Sequence, residues 1–92
     1  MINFIDTGNF LHLLNASKDK TQFIKNYLDD YMRKTFHKIF DEESIADFLM
    51  ELYVLKKELQ FCLKSKNYQC ISTYLQEFNS KIQDINQKKY VV

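Results

Sequence analysis

Asp41-Glu-Glu-Ser-Ile-Ala-Asp-Phe-Leu-Met-Glu-Leu-Tyr-Val-Leu-Lys-Lys-Glu-Leu-Gln-Phe-Cys-Leu-Lys64 is the stretch that decides the fold. Its residues Ile45, Phe48, Leu52, Leu55, Leu59 and Cys62 recur at steps of three and four, which puts them on one stripe of a 3.6-residue helix, with Leu49 and Leu63 alongside. Asp41 suits the N-cap, where its carboxylate accepts from a backbone N–H that lacks a helical partner. Glu42 and Glu43 sit at the positive end of the helix dipole, and Lys64 and Lys66 at the negative end. A second apolar line, Met50, Val54 and Phe61, lies on another side of the same helix, bordered by Asp47, Glu51 and Glu58. A helix with two apolar faces requires two sets of neighbours. The second set is either the short first helix of this chain or another molecule.

Outward from that helix, the chain has no proline and a single glycine, Gly8, so it lacks the turn residues that a β-rich chain of this length needs. Residues 1–5 read as a short apolar lead-in. Asp6 then caps a helix over about 7–15 that shares Phe10, Leu13 and Leu14 on one face. Ser17 or Asp19 caps a second helix over about 20–40, with Ile24, Tyr27, Leu28, Tyr31, Thr35 and Ile39 as its stripe. Phe36 and Phe40 fall off this stripe and are expected to turn inward where the helix bends or to cover the first helix, with a partner site as the less favoured reading. The last helix, about 67–87, repeats Tyr68, Ile71, Leu75, Phe78, Ile82 and Ile85 in alternating steps, the pattern of shallow-angle packing, and residues 88–92 are expected to fray. Short links make neighbours antiparallel. The expected fold is all-α: one domain over 1–92, an antiparallel up-and-down bundle of three long helices plus a short N-terminal one.

Ninety-two residues bury roughly 60–65% of the unfolded chain's surface, enough for a core without metal or disulfide. Hydrophobic residues make up 46% and charged residues 27%, which argues against disorder, and a net charge of +1 sets up no strong field toward nucleic acid or membrane. The opening Met-Ile-Asn-Phe-Ile-Asp has neither a basic region nor a long apolar run, so no secretory signal is expected, and no run is long enough to span a membrane. A cytoplasmic protein follows. Cys62 and Cys70, eight apart across a helix–helix turn, are within reach of one another but are expected to be reduced, buried thiols.

Motifs for chemistry are sparse. His12 and His37 lie on different helices, and no Cys-x-x-Cys or Glu-x-x-His spacing occurs, so no metal is expected. No phosphate-binding glycine loop or nucleophile elbow is present, and neither a cofactor nor a catalytic residue is assigned. Arg33 and His37 resemble the arginine–histidine pair of small helical HEPN-type ribonucleases, with three intervening residues where that motif has four to six; a solvated helix face is the preferred reading. The basic residues Lys18, Lys20, Lys25, Arg33, Lys34 and Lys38 scatter around their helices among Asp19, Asp29 and Asp30, which favours a solvated surface over direct nucleic-acid binding.

Leu11-His-Leu-Leu-Asn-Ala-Ser-Lys-Asp-Lys-Thr-Gln-Phe-Ile-Lys-Asn-Tyr-Leu-Asp-Asp-Tyr-Met-Arg33 resembles the immunity proteins of the colicin D type in its short apolar helix, Ala-Ser-Lys turn and following helix from Phe to Arg. Glu51-Leu52-Tyr53 and the spacing of Ile71, Leu75, Phe78 and Ile82 are further points of similarity. The resemblance implies a helical bundle that binds the tRNA-cleaving domain of a cognate toxin and blocks its basic cleft with acidic side chains. The residues assigned to partner binding, from spacing and not from the family, are Asp47, Met50, Glu51, Val54, Glu58 and Phe61. The expectation is a non-enzymatic immunity or antitoxin-like inhibitor, a monomer or weak homodimer, with no membrane contact. A self-associating assembly subunit or secretion chaperone is the alternative, and a small helical ribonuclease stands behind it.

Overall fold

The structure, a computed structural model, describes residues 1–88 and has four helices: α1 (Thr7–Ala16), α2 (Lys20–Phe36), α3 (Glu42–Lys64) and α4 (Gln69–Lys88). It is the all-α antiparallel bundle that the periodicity predicts. Three helices start on aspartate caps. The Asn9, Gln22 and Ser44 N–H groups donate to Asp6, Asp19 and Asp41, each at 3.0 Å, and such a cap is typically worth about 1 kcal/mol. The Ser44 hydroxyl also donates to Asp41 at 2.7 Å.

The central helix is α3. It buries Phe48, Leu52, Leu55, Leu59 and Cys62 between α2 on one side and α4 on the other, where Ile71, Leu75, Phe78, Ile82 and Ile85 meet it. The short α1 packs against α2 and α4, not against α3. Its Phe10 is fully buried and stands edge-on to Tyr27 and Phe23, with centroids 4.8 and 5.4 Å away. Tyr31 joins the long helices, its ring 5.8 Å from Phe48 and 6.0 Å from Phe78. Ahead of α1, Ile2 and Ile5 are buried, and Asn79 and Asn86 of α4 hydrogen-bond their backbone.

Four expectations are corrected. First, α2 ends at Phe36 and not near residue 40, because the Lys38 and Ile39 N–H groups donate three residues back, to Thr35 and Phe36. That tightening turns Ile39 into the core and leaves Phe36 and Phe40 exposed, so neither covers the first helix. Second, Tyr68 precedes α4 and is exposed, so it does not belong to the α4 seam. Third, α4 continues through Lys88; the rest of the expected frayed end, residues 89–92, lies outside the described residues.

Fourth, Cys62 and Cys70 form a disulfide, so they are not reduced thiols. Lys66, at a positive φ of 55°, turns the chain sharply enough to bring the two Cα atoms within 6.0 Å. Closing so short a loop limits the unfolded chain by about 2.5 kcal/mol in the chain-entropy account. Reductant is therefore expected to lower the melting temperature of the wild-type chain and to leave that of a Cys62→Ser/Cys70→Ser variant unchanged. Equal thermal transitions of the wild type with and without reductant would count against this.

Candidate docking face on α3 and α4

The two sets of neighbours available to α3 cover only part of its circumference. Met50, Val54 and Phe61 remain exposed, at 65%, 42% and 62% of their surface, in one row along the outer side of the helix. The alternative cover, α1, is on the far side of the bundle. Tyr53 extends the row toward α2, and the Lys57 ammonium lies over its ring, 5.4 Å from the centroid. Glu51 and Glu58 are half-buried on the α4 side of the row. They line a shallow depression of about 260 Å³ between the helices, together with Met50 and Val54 of α3 and Glu77, Phe78 and Lys81 of α4.

The six assigned residues lie along one side of α3, and Asp47, one turn before Glu51 on the same edge, differs from the others in being paired. Lys88 of α4 donates to Asp47 at 3.0 Å, so that carboxylate is already paired. Asp47, Glu51, Lys81, Asp84 and Lys88 line an adjoining hollow of about 270 Å³. The negative border is therefore centred on Glu51, Glu58 and Glu77, with Lys81 as its internal counter-charge. Glu77 and Lys81 were not assigned from sequence. Their signal lay in the outer row Glu77, Lys81, Asp84 and Lys88 of the last helix, which becomes meaningful only once α4 is known to lie beside α3.

The crowding has an electrostatic consequence. Burial pushes the Glu58 carboxyl above its usual range; Glu77 and Glu51 push it further, and Lys81 opposes them. Elsewhere, Arg33 pairs with Asp30 one turn earlier on the same helix, and both are exposed. His37 follows the end of α2 with its ring edge-on to Phe36, centroids 6.5 Å apart. Among the described residues no three His, Cys, Asp or Glu side chains converge as a metal site, and no helix is long and apolar enough to cross a membrane. Compared with protein-family models, with characterised proteins and with solved structures, the chain matches none.

A carboxyl whose pKa is higher in the folded than in the unfolded state is harder to ionise in the native protein. It subtracts stability above the ordinary carboxylate range, and the loss disappears as the pH falls through its raised value. Glu58→Gln is therefore expected to raise the melting temperature at neutral pH, with the gain vanishing in acid below the usual carboxylate pKa. Thermal melts of the two proteins between pH 3 and pH 7 measure this directly; a gain that persists undiminished at the acid end contradicts it.

Proposed function

We propose that this chain is a non-enzymatic inhibitor of the immunity or antitoxin kind, which docks the α3–α4 face over the basic substrate cleft of a cognate nuclease toxin. The observation that carries this reading is the exposed row Met50, Val54 and Phe61 edged by the carboxylates of Glu51, Glu58 and Glu77. Apolar anchors that lose water on contact supply lasting affinity, and like charges beside them speed encounter with an oppositely charged partner. In a nuclease cleft built for phosphates, lysine and arginine side chains offer that opposite charge. A cation brought to Glu58 also removes the repulsion that Glu51 and Glu77 impose on it. The place of action is then the cytoplasm.

The test is calorimetry against the product of the neighbouring open reading frame, which is expected to be a basic nuclease domain. Glu51→Lys together with Glu58→Lys is expected to weaken binding by about a hundredfold while leaving the helical circular dichroism unchanged. Asp47→Lys alone is expected to do much less, because Lys88 already neutralises that carboxylate. Unchanged affinity in the double variant removes the α3–α4 face from consideration.

A further inference from the structure

The exposed row of α3 is a crest with a hollow on each side. Toward α4 lies the depression edged by Glu51, Glu58 and Glu77. Toward α2 a second hollow, of about 160 Å³, opens between the helices. Buried Leu28 and Leu52 line it together with half-buried Met32 and exposed Leu49 and Tyr53. Its origin is local: Leu28 and Met32 are one helical turn apart on α2, Leu49 and Tyr53 one turn apart on α3, and the two pairs border the same groove. A dry cavity of roughly 150 Å³ holds a benzene ring, so this hollow has room for one aromatic or branched aliphatic side chain.

The two hollows differ in charge. Toward α4, three carboxylates stand against the single ammonium of Lys81. Toward α2, the charged lining is one carboxylate and one ammonium, Asp29 and Lys56, 4.0 Å apart across the two helices. An unbalanced set of carboxylates draws cations. A balanced pair draws neither sign, and the space beside it is filled at least cost by a group with no charge to desolvate. The Lys57 ammonium over the Tyr53 ring adds positive charge on this side of the crest, which repels a second cationic surface.

A single helix laid in either groove reaches one hollow and leaves the other open, whereas the two sides of a cleft reach both. We infer that α3 enters its partner as a wedge between two unlike walls: a cationic wall against the α4 flank, and an apolar wall whose side chain fills the α2–α3 hollow. Met32, Leu49 and Tyr53 then determine specificity beside the row itself. The inference rests on the reading of the α3–α4 face as a docking surface and adds the second wall to it.

The test measures association and dissociation rates against the product of the neighbouring open reading frame, at low and high salt. It compares the wild-type chain, the Glu51→Lys/Glu58→Lys variant and a Leu49→Ala/Tyr53→Ala variant. The alanine variant is expected to keep its helical circular dichroism and to bind at least about tenfold more weakly, through faster dissociation, with association rate and salt dependence unchanged. The lysine variant is expected to lose association rate and salt dependence instead. An alanine variant that binds like wild type while the lysine variant is weakened overturns the second wall and leaves the α3–α4 reading standing. A loss in the alanine variant carried by slower, salt-dependent association also overturns it. An undiminished lysine variant, or a wild-type chain that does not bind, overturns both. If the alanine pair disturbs the fold, Met32→Gln, which keeps the side-chain length and lies on the other helix, takes its place with the same outcomes.

Discussion

A helix flanked by two long neighbours hides only the arc those neighbours cover. α3 is in that position. Its stripe from Phe48 to Cys62 is used against α2 and α4, and among the described residues no third element reaches its outer side, because α1 packs against α2 and α4. Burying a Met, Val or Phe side chain is worth about 1.5–3 kcal/mol. The row Met50, Val54 and Phe61, each already partly buried, therefore leaves about 2.5–5 kcal/mol of burial unused. The bundle forms without it, which is the condition for a surface to be usable by something else.

The opposite side of the bundle solves the same geometric problem differently. A fourth long helix is absent there, and the ten residues of α1 together with the segment before it stand in for it. Asn79 and Asn86 lie on the packed face of α4, where an unpartnered amide is costly. Ile2 and Ile5 supply the missing partners as peptide groups while filling the apolar space with their side chains. The asparagines hold the segment by its main chain, and the isoleucine side chains fix its register along the helix, since a shift by one residue places Asn3 and Asp6 at the two buried positions.

Charge on the α3–α4 face is likewise decided by which helix lies next to which. Taken alone, α3 offers Asp47, Glu51 and Glu58 as an unopposed acidic edge. α4 adds Glu77 to that edge but also Lys81 and Lys88, and Lys88 removes Asp47 from the unpaired set. The remaining negative field is narrower than the three carboxylates of one helix suggest and is concentrated around Glu58, whose carboxyl is pushed up first by burial and then by Glu77 and Glu51.

Much of the architecture was legible before any coordinates. The aspartate caps at Asp6 and Asp41, Asp19 as one of two candidates for the second helix, the α3 stripe and the alternating α4 seam all arise from groups three or four residues apart, and a single helix brings such groups together wherever it sits. The exposed line of Met50, Val54 and Phe61 was legible too, as a surplus of apolar surface, though not which side α1 would take. What escaped the reading joins positions far apart in the chain: Ile2 with Asn86 across 84 residues, Ile5 with Asn79 across 74, and Lys88 with Asp47 across 41. The Cys62–Cys70 bond was within reach by spacing, and the sharp turn at Lys66 brought it about. An asparagine on an apolar face or a lysine near a helix end has no meaning until its partner is placed opposite it, and only the packing of whole helices does that.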